Sequence, residues 1–105
     1  MKMKVSIFRA KSGINAVGEY NENTKELTVK KGSIVSSKIA YSEKFKGAAT
    51  IEKHRTGVVE NRVVQKDVTF KSASTAANFV TGASTNGLVA WKTENGQKLK
   101  EAIEA

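Results

Sequence analysis

A chain of 105 residues, 39% apolar and 27% charged, is long enough for one self-sufficient core and too apolar for a disordered polymer. It has no cysteine, which excludes disulfides, thiolate metal sites and cysteine nucleophiles, and no proline. Eighteen basic residues against ten acidic give a net charge of +8, with residues 1–56 carrying +7 of it and residues 57–105 only +1. Such a field concentrates polyanions, of which nucleic acid is the commonest.

Met3, Val5 and Ile7 alternate with polar residues, which predicts a half-buried strand to Arg9. Lys11-Ser12-Gly13 breaks it. Ile14, Ala16, Gly18 and Tyr20 alternate again, Asn21–Lys25 is rich in turn formers, and Leu27 and Val29 make a short third strand ending at Lys31-Gly32-Ser33. Residues 14–30 therefore read as a hairpin. From Ser42, a candidate N-cap, the period changes: Phe45, Ala48, Ala49 and Ile51 share a helical face, and Gly57 stops the helix. Val58-Val59 and Val63-Val64 flank Glu60-Asn61-Arg62 as a small hairpin, and Val68 and Phe70 stay extended. A second helix starts at Ser72 or Ser74, carries Ala76, Ala77, Phe79 and Val80, and ends at Gly82. Asn86-Gly87 reads as a tight turn. Residues 97–103 read as a short last helix with Leu99 and Ile103 inward. Phe8, Phe45, Phe70, Phe79 and Trp91 are the expected aromatic core. Hairpin connections dominate, so the expected fold is a single α+β domain over 1–105: a small antiparallel or mixed sheet, two main helices and a short C-terminal helix.

No run approaches the ~20 apolar residues that span a bilayer. MKMKVSIFRAKSG lacks the long apolar run and small-residue cleavage site of a signal peptide. A cytoplasmic setting without membrane contact is expected.

The run from Phe70 to Gly87, FKSASTAANFVTGASTNG, followed by Trp91-Lys92, Gly96 and Leu99, resembles a domain-of-unknown-function family found at the C-terminus of GIY-YIG nucleases and restriction-modification proteins. It is also similar to the restriction enzyme adenine methylase associated (RAMA) module. Ala16–Tyr20 and Val29–Ser33 share the look, so the resemblance covers most of the chain. Ala73 stands where that family usually has proline, and Leu88 where it often has an aromatic residue. The resemblance implies a non-catalytic accessory domain that binds DNA for an enzyme. Since no nuclease domain fits beside it in these residues, docking onto a separately encoded enzyme is the alternative.

Candidate contacts follow the charge. Lys2, Lys4 and Lys30 are out of phase with the apolar positions of their strands and share one solvent face; they form a stripe if the first strand lies beside the third. Arg9, Lys11, Lys31 and Lys44 extend the basic set. Lysine outnumbers arginine, so contacts would go to phosphates rather than to base edges; the resemblance implies DNA in preference to RNA. Ser72 and Ser74 are caps, and with Lys71 beside them that helix start could also take a phosphate. Trp91 is a core residue or a stacking platform, with Asn86 in the same loop. His54, the only histidine, sits at a helix end. Ser33, Ser36 and Ser37, after Gly32, have the look of an anion nest, at a spacing that fits no known phosphate loop. No nucleophile and base share one constellation, so neither an enzyme nor a cofactor is expected.

Overall fold

A computed structural model describes residues 2–37, 39, 48–83 and 85–104. Strand β1 (Lys2–Arg9) runs into a 3-10 turn (Ala10–Ser12), where Gly13 in the left-handed region reverses the chain into β2 (Ile14–Asn21). Then come β3 (Leu27–Val29), helix α1 (Ala48–Arg55), β4 (Val59–Glu60), β5 (Val63–Val64) and β6 (Val68–Phe70). The chain closes with α2 (Ala73–Thr81), α3 (Gly87–Ala90), β7 (Lys92–Thr93) and α4 (Leu99–Glu104).

Five strands form one antiparallel sheet in the order β6-β3-β2-β1-β7, while β4 and β5 pair separately. The architecture is α+β, with four helices among the described residues. The β4–β5 reversal places Asn61 and Arg62 at φ 52° and 70°, the two positive values that a tight hairpin turn of right-handed twist requires. Arg62 is held there by donating from Nε to the Val35 carbonyl at 3.1 Å and from Nη2 to the Ser12 carbonyl at 2.8 Å.

Alternation along the strands decides what is buried. Val5 and Ile7 of β1, Ile14, Ala16 and Tyr20 of β2, and Leu27 and Val29 of β3 all point to one side. Helix α2 packs over β2, β3 and β6 on that side through Ala73, Ala76, Ala77, Phe79 and Val80. Trp91 and Leu99 complete the core. Gly18 makes room for Leu27 and the neighbouring strand: a Cβ there would lie 2.9 Å from both Leu27 Cδ2 and the Thr28 carbonyl oxygen.

Phe70, Phe79 and Trp91 are buried as expected, but Phe8 is 70% exposed. Its neighbour Ile7 is inward, so the pleat turns Phe8 out. Phe45 and the Ser42 cap lie outside the described residues. Leu99 is inward, but Ile103 is 39% exposed, because α4 is short and buries only its first turn. Asn86-Gly87 is not a free tight turn but the start of α3, with Asn86 Oδ1 accepting the Leu88 amide at 3.0 Å. Strand β7 follows Trp91 directly and pairs Thr93 with Val5 and Lys92 with Ser6. No described helix is long and apolar enough to cross a membrane.

Candidate nucleic-acid interface

Among the described residues the helices lie on one side of the five-stranded sheet and none covers its other side. Residues paired across antiparallel strands share a face. The register therefore sets Lys4 beside Glu19, Glu19 beside Thr28, and Thr28 beside Thr69, the two threonine hydroxyls being 2.8 Å apart. In the next row Lys92, Ser6 and Val17 follow one another, and Lys30 donates its amide to the Val17 carbonyl at 2.8 Å. A concavity of about 630 Å³ on this face is lined by Lys4, Val17, Glu19, Lys30 and Lys31.

The expected lysine stripe is only partly formed. Strand β1 does not lie beside β3; β2 stands between them and brings Glu19 into the row. Lys30 Nζ lies 3.3 Å from Glu19 and 3.1 Å from Asp67. Asp67 also accepts the Lys31 amide at 2.8 Å. That amide bond, followed by the bond from Lys30, holds the Asp67 carboxyl below its ordinary pKa. The bond to Asp67, then that to Glu19, raises Lys30. One of the lysines expected to face phosphate is thus already neutralised within the protein. Lys4, Arg9, Lys11 and Lys31 are exposed; Lys2 pairs with Asn21 at the start of β1, and Lys44 lies outside the described residues.

The helix start at residues 72–74 is used internally. Ser72 Oγ caps α2 by accepting the Thr75 amide at 3.1 Å. Ser74 is not a cap; its Oγ accepts the Gly87 amide at 3.1 Å. Lys71 beside them is exposed. Trp91 is fully buried and donates from Nε1 to the Ala73 carbonyl at 3.0 Å, so it has no face for a base to stack on. Asn86 spends its side-chain oxygen on capping α3. Ser33 is buried, donating its hydroxyl to the Val17 carbonyl and accepting the Val17 amide, so Gly32-Ser33 is a structural tie rather than an anion nest. His54 ends α1 with its ring edge-on to Phe70, centroids 5.3 Å apart.

Two of the three arginines are likewise committed to backbone. Arg62 braces the β4–β5 turn. Arg55, at the end of α1, donates to the carbonyls of Phe79, Val80 and Ser36 and to the Ser36 hydroxyl. Phe79 and Val80 sit in the last turn of α2, where carbonyls lack intrahelical partners and a cation is favoured. Burial first, and Arg62 second, lower the pKa of Arg55. Arg9 alone keeps an exposed guanidinium.

The exposed aromatic on the open face is one that sequence reasoning assigned to the core. Phe8 stands opposite Asn15 on β2, near the 3-10 turn that carries Lys11. The signal was in the sequence: Ile7 and Phe8 are adjacent in a strand and cannot both face inward. Among the described residues no group of three or more His, Asp or Glu side chains is placed to hold a metal.

No curated protein and no solved structure matches the chain. A family model does match, over residues 7–103, from the end of β1 into α4, so the chain belongs to the family described as Domain of unknown function (DUF4357).

Proposed function

We propose that this domain is a non-catalytic accessory module that holds nucleic acid, DNA in the first instance, against the open face of its sheet. The observation that carries the reading is the sheet face that no described element covers, with Lys4, Lys31 and Lys92 on or beside it in a chain of net charge +8. With Arg55 and Arg62 tied to carbonyls, the charge left for a ligand is mainly lysine, which meets phosphate as a point charge. Binding is then directed to the backbone and weak in sequence preference. In this role the module would serve an enzyme acting on DNA, of the nuclease or restriction-modification kind to which the sequence bears a resemblance. Docking onto such an enzyme as a protein is the alternative.

The test is fluorescence anisotropy with labelled DNA, titrated at salt from about 50 to about 200 mM. Log affinity should fall with log salt at a slope of roughly −0.9 per phosphate contacted on a duplex. Lys4→Glu and Lys92→Glu should each weaken binding and flatten that slope, while Lys100→Glu on α4 should do neither. Absence of binding at the low-salt end, or binding indifferent to salt, would discard the reading.

A further inference from the structure

The open face carries a second feature that a phosphate-binding surface does not need. Phe8 is 70% exposed at the end of β1, on a rigid strand paired residue for residue with β2. Ile7 is buried beside it in sequence, so the ring cannot turn inward without flipping the strand. Around it the register places Asn15 directly opposite and Val17 one step diagonal on β2. On the other side, Lys92 of β7 pairs with Ser6, the residue two before Phe8 on the same face. Arg9 and Lys11, both exposed, follow it in the chain. The carboxylates of the face lie elsewhere: Glu19 is in the Lys4 row and Asp67 is bonded to Lys30 and Lys31. A flat apolar ring among cations, on a sheet face that no described element covers, suits a nucleobase whose own phosphates need neutralising.

We propose that Phe8 stacks against an unpaired base, so that the ligand of this face is a single-stranded stretch of nucleic acid, with Lys92 and Lys11 meeting the phosphates on either side. The inference rests on the nucleic-acid reading above and narrows it. In a duplex the bases are already stacked on one another, and only their edges are offered. A single strand presents both its base faces and its backbone, which is what an aromatic ring flanked by cations can use. Stacking tolerates every base, in keeping with a surface poor in forked arginine contacts.

The test uses the full chain with labelled oligo-dT and oligo-U of about twelve nucleotides, and a blunt DNA duplex of the same length. Wild type should bind the single strands more tightly than the duplex. Phe8→Ala should lower single-strand affinity about 5- to 100-fold, as expected for one lost stacking partner, and duplex affinity less than twofold. The salt slope should stay unchanged, because no charge is removed. Phe8→Trp should keep the affinity and add an exposed indole whose emission is quenched by the single strand, over the constant background of buried Trp91. Quenching by dT or by U supports the proposal. If duplex and single strand bind with steep salt dependence while Phe8→Ala changes neither and no quenching occurs, the stacking proposal is overturned and the backbone-binding reading stands. If nothing binds at low salt, both fall.

Discussion

The Ser74 hydroxyl accepts the amide hydrogen of Gly87 at 3.1 Å and ties the first turn of α2 to the first residue of α3. The two backbones are so close that a Cβ on Gly87 would overlap the carbonyl of Ala73 and the amide nitrogen of Ser74. Four residues on, Trp91 returns to the same turn and donates to the Ala73 carbonyl. The spaced serines, the asparagine-glycine pair and the tryptophan thus form one structural clasp.

Gly87→Ala should open that clasp. The added methyl meets backbone, which cannot rotate away, so the loss should reach about 2–3 kcal/mol, at the upper end for overpacking. Urea denaturation followed by far-UV circular dichroism should show a lower midpoint at an unchanged slope. A variant as stable as wild type would mean that α3 shifts freely against α2.

Trp91→Phe should cost about 2–4 kcal/mol, from a cavity under β1 and β2 together with an orphaned Ala73 carbonyl. Because Trp91 is the only tryptophan, wild-type emission reports this site alone. It should be blue-shifted in the folded protein and move to the red in one step on unfolding. Emission already red-shifted in native buffer would contradict the burial.

Arg55→Ala should destabilise by about 2–3 kcal/mol, since the last carbonyls of α2 and the Ser36 carbonyl lose a charged donor. Arg55→Lys should restore less than half of that, because an ammonium cannot fork between the Phe79 and Ser36 oxygens. Neither change should alter the salt slope of DNA binding. A flattened slope in Arg55→Ala would place this guanidinium at the ligand instead.

The Lys30–Asp67 contact sets a pH signature at both ends. Asp67 has a depressed folded pKa, so its contribution is present above the unfolded carboxylate value of about 4 and is lost as pH falls through the lower folded value. Lys30 is raised, so its contribution is present below the unfolded value of about 10.4 and is lost as pH climbs through the folded one. Asp67→Asn should lower Tm slightly at pH 7, the deficit closing toward strong acid. Both groups lie at the surface, so the shift should be small. The same variant leaves Lys30 with Glu19 as its one remaining carboxylate and should tighten DNA binding while steepening its salt slope. Unchanged affinity would remove Lys30 from the interface.

Most of the sheet was legible because period-two alternation in residues 3–9, 14–20 and 27–29 has a single physical meaning. The α2 boundaries were legible from Ser72 and from Gly82, whose φ of 74° is the left-handed stop that glycine adopts without strain. Strand β7 was not, because two residues carry no period and the pairing with β1 is set by Trp91 at a distance in sequence. The site was less legible than the fold. Charge counts located the basic half but could not see Glu19 and Asp67 closing on Lys30, nor Arg55 and Arg62 turning to carbonyls. Those are long-range contacts that composition averages away. Phe8 was misassigned because aromatic content was weighed ahead of the strand phase, which had already turned it outward.

The outer strands of the five-stranded sheet, β6 and β7, have only three and two residues. A protein that keeps one sheet face bare invites a neighbouring copy to extend the sheet from its rim, and short rims offer few amides to build on. The edge strand β7 also carries Lys92, a charge that resists such an addition. On the proposed reading, the lysine that would face the ligand also guards the edge against fibrous self-association, and replacing it with an apolar residue should lower solubility together with binding.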